Sequence, residues 1–238
     1  MGGSPADAGD PPHDVPYLVP RSAYTATLPM LLLSMNDGPV STVWPPPRVL
    51  ALTLYSHSES IAGLAAGKRL ASEGAKKVLC VLQAQGQVQL EARCAGVKQG
   101  LGSEGTMEKL YVDGTNNSAM LSGITAKLRQ DKNIDHVLTL GAPVALVALQ
   151  SVSQANSNAK VVTFDTNPAL VAKIKSGDVK WAVDQQPFLQ GYESIDALWL
   201  FKVNGNILGG GQTVLTGPSF IDSSNIGKVA VYAERGTR

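Results

Sequence analysis

From Val49 onward, short apolar segments alternate with amphipathic ones, and this alternation restricts the fold more than any other feature of the sequence. The short segments are rich in β-branched residues and are typical of strands buried on both faces. The predicted strands cover residues 49–55, 78–82, 109–112, 136–140, 160–164, 181–183 and 213–215. The predicted helices cover residues 58–73, 88–100, 118–130, 144–154, 168–175 and 189–203. Repeated strand–helix units predict an α/β fold, a parallel sheet wrapped by helices.

The segment before this alternation has a different character. Ten of the 14 prolines lie in the first 47 residues. Proline lacks a backbone N–H and restricts the residue before it, so this density disfavours regular structure. We therefore predict that residues 1–48 are irregular or disordered, that residues 49–227 form the α/β domain, and that residues 228–238 are a C-terminal tail.

Charge and hydropathy exclude several classes of partner. The formal net charge is +1 and only 16% of residues are charged, so there is no basic field to attract nucleic acid. No apolar run reaches the ~18–20 residues of a membrane span. The apolar stretch 30–35 follows acidic, proline-rich sequence instead of a basic segment, so we identify no signal peptide.

The cysteines and histidines do not form a metal-binding pattern. A metal site needs three or four clustered donors, whereas the two cysteines and three histidines are dispersed, so we predict no metal and no cofactor. Cys80 lies on a predicted strand and Cys94 on the next predicted helix. They are either two buried apolar side chains or a disulfide, depending on a Cα separation that their spacing leaves open.

In a parallel α/β sheet the ligand lies beyond the carboxyl ends of the strands, so the residues that follow the strands are the candidates. These segments are rich in amides and carboxylates: 83–89, 113–117, 141–143, 165–167 and 184–186. They contain no Ser–His–Asp or Cys–His arrangement and no phosphate-binding loop. Amides and carboxylates suit a polyol, because each hydroxyl both donates and accepts.

Paired carboxylates also occur in glycoside hydrolases, for which Asp113, Asp165 and Asp184 are the candidates. Aspartates at strand ends are common as helix caps and turn formers. This more ordinary role, together with the missing nucleophile, disfavours hydrolysis.

Four stretches carry a family pattern: residues 56–81, 90–101, 161–192 and 213–226. The second contains Arg-x-x-Gly, beginning at Arg93. The third is the most specific, with a strand ending in Phe-Asp, a helix, a glycine before the next strand, and then Gln-x-Pro beginning at Gln185. In these stretches the chain resembles the pentose- and hexose-binding branch of the periplasmic binding proteins, which is related to the effector domains of LacI-type repressors.

The resemblance implies two similar lobes that are joined by three crossovers and close on a sugar. It implies that Asp165 accepts hydrogen bonds from sugar hydroxyls and that Gln185 bonds the sugar from a crossover. Arg93, or the position of Glu91, would reach the ring oxygen or a hydroxyl, and Asn117 falls near another pocket position. Alternatively, Asp165 and Asn167 simply cap the next helix, and Arg93 is a surface residue.

The chain departs from the family in two places. Gly141-Ala142-Pro143 stands where the family often has a polar residue after the strand 136–140. Most of the first lobe has no counterpart, so we expect a truncated protein with millimolar affinity for sugars or none. In the family the helix at 189–203 packs on the first lobe, and we therefore expect it to be unusually exposed or to mediate self-association.

The resemblance implies a function without catalysis. The chain would be the solute-binding component of a sugar ABC importer, periplasmic or extracellular, with a monosaccharide or similar polyol as ligand and a membrane permease as partner. Two alternatives remain: a sugar-sensing regulatory domain of the same fold, and a small-molecule enzyme on a doubly wound fold.

Overall fold

The computed structural model describes residues 55–56 and 58–237. The chain divides into two compact units between Val49 and Leu50, and all described residues belong to the second unit. The predicted irregular segment 1–48 and most of the predicted first strand therefore lie outside the described residues.

Strands and helices alternate along most of the described chain, as predicted. The strands are β1 (Tyr55–Ser56), β2 (Lys77–Leu82), β3 (Thr106–Tyr111), β4 (His136–Thr139), β5 (Lys160–Phe164), β6 (Val179–Asp184), β7 (Val214–Leu215) and β8 (Ser219–Asp222). The helices are α1 (Glu59–Ser72), α2 (Val88–Leu101), α3 (Asn117–Gln130), α4 (Ala142–Gln154), α5 (Pro168–Lys175), α6 (Pro187–Asn204) and α7 (Ile226–Glu234). Within the described part of the chain, no helix has the length and apolarity needed to cross a membrane.

Six strands form the main sheet, in the order β3-β2-β4-β5-β6-β8. Neighbouring strands from β3 to β6 run parallel, and only β8 is antiparallel to its neighbour β6. A second small sheet pairs β1 with β7 in parallel. The predicted parallel α/β class is therefore confirmed, with one antiparallel edge strand added.

The C-terminal segment differs most from the sequence-based prediction. Neither β8 nor α7 was predicted. Strand β8 has only four residues, and half of them are polar. Helix α7 buries Val229 and Ala233 in the same core cluster as Leu170 of α5. The proposed boundary of a tail at residue 228 consequently falls inside a packed helix.

Both faces of the main sheet are covered by apolar side chains. Leu79 and Val81 of β2 point into a cluster with α3, α4, α5 and α7, whereas Val78 and Cys80 point into a cluster with α1 and α2. Successive residues of a strand face opposite sides, so a strand covered on both sides is apolar throughout. This arrangement explains why the buried strands lack polar alternation.

Helices α1 and α2 pack with their backbones in contact. Each carries two glycines four residues apart, Gly63 and Gly67 on α1 and Gly96 and Gly100 on α2. A Cβ on Gly63 would lie 2.3 Å from the carbonyl oxygen of Arg93, and a Cβ on any of the other three would come within 2.6 Å of a backbone oxygen. The four-residue spacing of these glycines is present in the sequence, but the close packing of α1 and α2 was not predicted from it.

Cys80 of β2 and Cys94 of α2 form a disulfide with a Cα separation of 6.2 Å. Both cysteines are fully buried. The disulfide interpretation is therefore correct, and the bridge joins the sheet to the helix that carries Arg93.

Helix α6 is exposed along most of its length, and Ala197 is its one buried residue. The exposed fractions of Ile195, Leu198, Trp199 and Val203 lie between 52% and 66%. The predicted exposure of this helix is confirmed, whereas self-association through it stays a prediction.

At the amino end of the sheet, the Asp135 carboxylate joins β4 to β2. Its Oδ2 accepts hydrogen bonds from the backbone N–H groups of Lys76 at 2.7 Å and Lys77 at 3.2 Å, and its Oδ1 lies 2.7 Å from His136 Nδ1. Partial burial opposes ionisation, but the hydrogen bonds from His136 and the two amides outweigh it and hold the pKa of Asp135 below its ordinary value.

We expect Asp135→Ala to lower the free energy of unfolding at neutral pH by about 1–3 kcal/mol, because two amides lose their acceptor. Since the folded pKa is depressed, this contribution is present above the unfolded carboxyl pKa of about 3.9 and is lost as pH falls through the folded pKa. Urea unfolding of wild type and variant between neutral and acidic pH measures it, with the exposed Asp196→Ala as control. A stability difference that stays constant across this range would contradict the assignment.

Candidate functional site

A cleft of about 220 Å³ lies at the carboxyl ends of β5 and β6, lined by Asp165, Thr166, Asp184, Gln185 and Pro187. These two strands are parallel neighbours, so the residues that follow them meet at one edge of the sheet. The cleft is therefore where parallel α/β sheets generally place a ligand.

Asp165 is held in an unusual conformation at this edge. Its φ is +62°, a left-handed backbone that few residues other than glycine adopt, although aspartate tolerates it better than most. Helix α5 is capped by Asn167, whose side chain accepts from the N–H of Leu170 at 2.8 Å. Asn167, not Asp165, therefore supplies the side-chain cap of this helix. A left-handed residue beside a cleft, as Asp165 is here, is typical of functional positions.

Arg93 is only 5% exposed, so the alternative that it is a surface residue is wrong. Its Nε and Nη2 donate to the carboxylate of Glu59, and its Nη1 donates to the Leu140 carbonyl at 3.3 Å. Nη1 also lies 3.7 Å from Asp165 Oδ2. The guanidinium carbon is 4.8 Å from the centroid of the buried Phe164 ring.

Gln185 completes the group by donating from Nε2 to Asp165 Oδ1. The backbone carbonyl of Gln185 accepts from Thr216 Oγ1 at 2.8 Å and from Gln190 Nε2 at 3.0 Å, which fixes the crossover between β6 and α6. Glu59, Arg93, Asp165 and Gln185 thus form one connected group, which we call the polar tetrad.

The polar tetrad carries two carboxylates and one guanidinium, so its formal charge is negative. Glu59 was not among the predicted site residues. It lies in the first turn of α1, immediately after the N-cap Ser58, and α1 follows β1 just as α2 follows β2. Extending the strand-end argument to the first predicted strand would have identified it.

The other two residues predicted for the site, Glu91 and Asn117, are not part of the polar tetrad. The Glu91 carboxylate bonds Lys109 Nζ at 2.6 Å and the Tyr111 hydroxyl at 2.9 Å, and so it faces β3. Asn117 is exposed at the start of α3, which is capped by Asn116. Among the hydrogen bonds that the structure gives for described residues, none joins Asn117 to the polar tetrad. Its predicted role in binding stays a prediction.

The edge after β4 offers only backbone and apolar groups. Gly141 is the N-cap of α4 and has no side chain to cap it, and Ala142 is buried. No cluster of three or more histidines, cysteines or acidic residues suited to a metal ion occurs in residues 55–56 and 58–237. The arrangement can bind hydroxyl groups by charge-assisted hydrogen bonds.

A family model described as the periplasmic binding protein domain matches residues 57–205. The match covers more than half of the chain and runs from α1 through α6, so it includes the whole polar tetrad. The chain belongs to the periplasmic binding protein domain family. As a member of this family it has the type I periplasmic binding protein fold, a mostly parallel sheet flanked by helices.

Solved structures of similar proteins agree with this assignment. A carbohydrate transporter from Acidothermus cellulolyticus 11B, in complex with myo-inositol, is 54% identical, has a TM-score of 0.74, and is matched over 79% of this chain and 65% of its own. A periplasmic ribose ABC transporter from Conexibacter woesei is 18% identical with a TM-score of 0.67, over 78% of this chain and 64% of its own. At such low identity, the second likeness shows the fold alone.

This member of the periplasmic binding protein family spans less than two thirds of both relatives. Another relative, a periplasmic solute binding protein from Actinobacillus succinogenes with bound D-allose, is 18% identical with a TM-score of 0.63, over 74% of this chain and 63% of its own. Among curated proteins no match is found.

Proposed function

We propose that this chain is a solute-binding component of an ABC import system and holds a neutral sugar or related polyol at the polar tetrad without catalysis. The observation that carries the proposal is that Arg93 and Gln185 both meet the carboxylate of Asp165, which lines the cleft. The relative at 54% identity, solved with myo-inositol, supports a polyhydroxylated ligand.

The polar tetrad is oriented before a ligand arrives. Arg93 is held by Glu59 and by the Leu140 carbonyl. Gln185 is held at its backbone carbonyl by Thr216 and at its side chain by the hydrogen bond from Nε2 to Asp165. A ligand that meets such pre-positioned groups immobilises fewer protein side chains on binding. The geometry therefore supports recognition of hydroxyl groups in a fixed orientation.

The disulfide supports a location outside the cytoplasm. Disulfides persist in oxidising compartments and are rare in the cytosol, and the bridge between Cys80 and Cys94 is fully buried. We infer from the family that a membrane permease of the ABC type is the partner.

We expect weak binding by this chain. A hydrogen bond that replaces one to water contributes about 0.5–1.5 kcal/mol, or up to about 3 kcal/mol when one group is charged. The described residues supply one polar edge, and immobilising the ligand opposes the few contacts that this edge makes. Dissociation constants should therefore be millimolar or weaker, and a chain with a complete first lobe should bind more tightly.

Asp165→Ala should abolish this binding, because it removes the carboxylate that both Arg93 and Gln185 contact. Amide NMR titration with myo-inositol up to its solubility limit measures millimolar affinities and locates the affected residues. The matched control is Asp178→Ala, which removes an exposed carboxylate that bonds Lys173.

Shifts centred on residues 93, 165 and 185 that vanish in Asp165→Ala and persist in Asp178→Ala would support the proposal. The absence of any shift, or shifts elsewhere that Asp165→Ala leaves intact, would overturn it. The same pair of variants in a chimaera that carries a complete first lobe repeats the test at higher affinity.

A further inference from the structure

We propose that Thr216 is a positioning residue for ligand binding, because its hydroxyl holds the turn from which the Gln185 side chain reaches Asp165. Thr216 directly follows β7, is buried and lies outside the polar tetrad. This inference rests on the proposed function and deepens it. It adds a residue that acts through Gln185 instead of contacting the ligand itself.

Thr216 lies where the two sheets are connected. In the described part of the chain, the backbone passes between the small sheet and the main sheet after β1, after β6 and after β7. The Thr216 N–H donates to the carbonyl of Ser56, at the end of β1, at 3.0 Å. Its hydroxyl donates to the Gln185 carbonyl, after β6, and its own carbonyl accepts from Gln186 Nε2. Thr216 therefore joins all three connections.

The Thr216 hydroxyl belongs to a closed ring of hydrogen bonds. It donates to the Gln185 carbonyl at 2.8 Å and accepts from Gln190 Nε2 at 3.1 Å, while Gln190 Nε2 also donates to the same carbonyl at 3.0 Å. A hydroxyl both donates and accepts, so this one side chain links the turn after β6 to helix α6. Valine has nearly the same shape as threonine and can form neither bond.

The turn that Thr216 holds contains an unfavourable backbone conformation. Gln186, the N-cap of α6, has φ +58° and ψ 59°, in the left-handed region that glutamine rarely adopts. Such a conformation persists where the surrounding contacts over-determine it. Here the contacts are the bond from the Gln186 N–H to Asp184 Oδ1 at 2.9 Å and the bonds to Thr216. Loss of the hydroxyl therefore favours relaxation of the turn.

Relaxation of this turn would change the position of the Gln185 side chain. Gln185 immediately precedes Gln186, and its Nε2 donates to the Asp165 carboxylate in the cleft. A glutamine side chain has several rotatable bonds, so once its backbone is less restrained it occupies more conformations. Immobilising it again on ligand binding opposes affinity. We expect Thr216→Val to weaken the binding of myo-inositol about threefold to tenfold.

The first test is amide NMR titration of the full chain with myo-inositol. Thr216→Ser keeps the hydroxyl and should bind as wild type does, whereas Thr216→Val should show the loss. The matched control is Thr125→Val. Thr125 is 5% exposed, close to the 4% of Thr216, and its hydroxyl has no hydrogen-bond partner among the residues that the structure describes. This control should bind like wild type.

The second test asks whether Thr216 acts through the Gln185 side chain. Gln185→Ala removes that side chain and keeps the backbone carbonyl that Thr216 contacts. If the side chain carries the effect, adding Thr216→Val to Gln185→Ala should change the affinity by less than about twofold. A purely structural role of Thr216 would weaken binding equally in both backgrounds.

The third test needs no ligand. Nitrogen-15 relaxation of the Gln185 side-chain amide reports how tightly this group is held on the picosecond to nanosecond timescale. We expect a lower order parameter in Thr216→Val than in wild type, and values close to wild type in Thr216→Ser and Thr125→Val. An equal order parameter in Thr216→Val and wild type would overturn the inference.

The outcomes separate this inference from the proposed function. Wild-type affinity of Thr216→Val, an equal loss in Thr216→Ser, or an undiminished loss in the Gln185→Ala background would overturn the inference alone. If wild type binds no myo-inositol, the proposed function fails and the relaxation measurement decides the role of Thr216. If Gln185→Ala binds too weakly to titrate, the relaxation and the serine variant decide.

A second pair of variants covers the case in which Thr216→Val does not fold. Thr216→Ala removes the hydroxyl without placing a methyl group against the Gln185 carbonyl. It differs from Thr216→Ser by the hydroxyl alone, so the comparison of these two variants repeats the affinity and relaxation tests. Equal values for both would contradict the role of the hydroxyl.

Discussion

Replacing Gly63 or Gly96 with alanine is expected to destabilise the chain by about 3 kcal/mol or more. A Cβ at Gly63 would lie 2.3 Å from the carbonyl oxygen of Arg93, and one at Gly96 would lie 2.6 Å from that of Ser60. Both neighbours are backbone atoms, so relief requires α1 and α2 to separate. Because Glu59 is on α1 and Arg93 on α2, the separation would also loosen the polar tetrad.

Gly191→Ala is the matched control, since it lies within α6 and an added Cβ would meet nothing within 4 Å. Alanine has the higher helix propensity, so this variant should gain about 0.5–1 kcal/mol. Urea unfolding of the three variants and wild type measures the difference. Equal stability of Gly63→Ala and Gly191→Ala would show that the close approach of α1 and α2 is wrong.

Removing the disulfide should produce the second large effect. The double variant Cys80→Ala, Cys94→Ala is expected to lose about 3 kcal/mol, because the bridge restricts the unfolded chain by closing a loop with a sequence separation of 14. Chemical denaturation of the oxidised wild type and the double variant measures this loss.

The control is wild type under reducing conditions, which should approach the stability of the double variant. Thiol labelling without reductant should detect no free cysteine in the native or the unfolded wild type. Labelling of both cysteines in unreduced protein, or equal stability of the oxidised and reduced forms, would contradict the bridge.

Much of the candidate site could be predicted from the sequence. Asp165 and Gln185 follow predicted strands, and in a parallel sheet those positions meet at one edge whatever the lengths of the connecting helices. Arg93 could be placed on the helix after β2 by the sequence pattern, but its burial could not be predicted. Whether a long basic side chain is buried depends on partners distant in sequence, here Glu59, 34 residues before it.

The sequence was less informative where local pattern and tertiary role diverge. Strand β8 has four residues, and its position depends on pairing with β6, from which it is separated by α6 and β7. Glycines four residues apart occur in many helices, so the spacing in α1 and α2 indicates close packing only once the two helices are known to be neighbours.

By itself the sequence determined the α/β class, the order of most strands and helices, and the edge of the sheet at which polar residues collect. These follow from the periodicity of apolar residues and from chain connectivity, which are local properties. Only the tertiary structure decided that Cys80 meets Cys94 and that Glu59 engages Arg93. Each of these depends on distances between segments far apart in the chain, which packing sets.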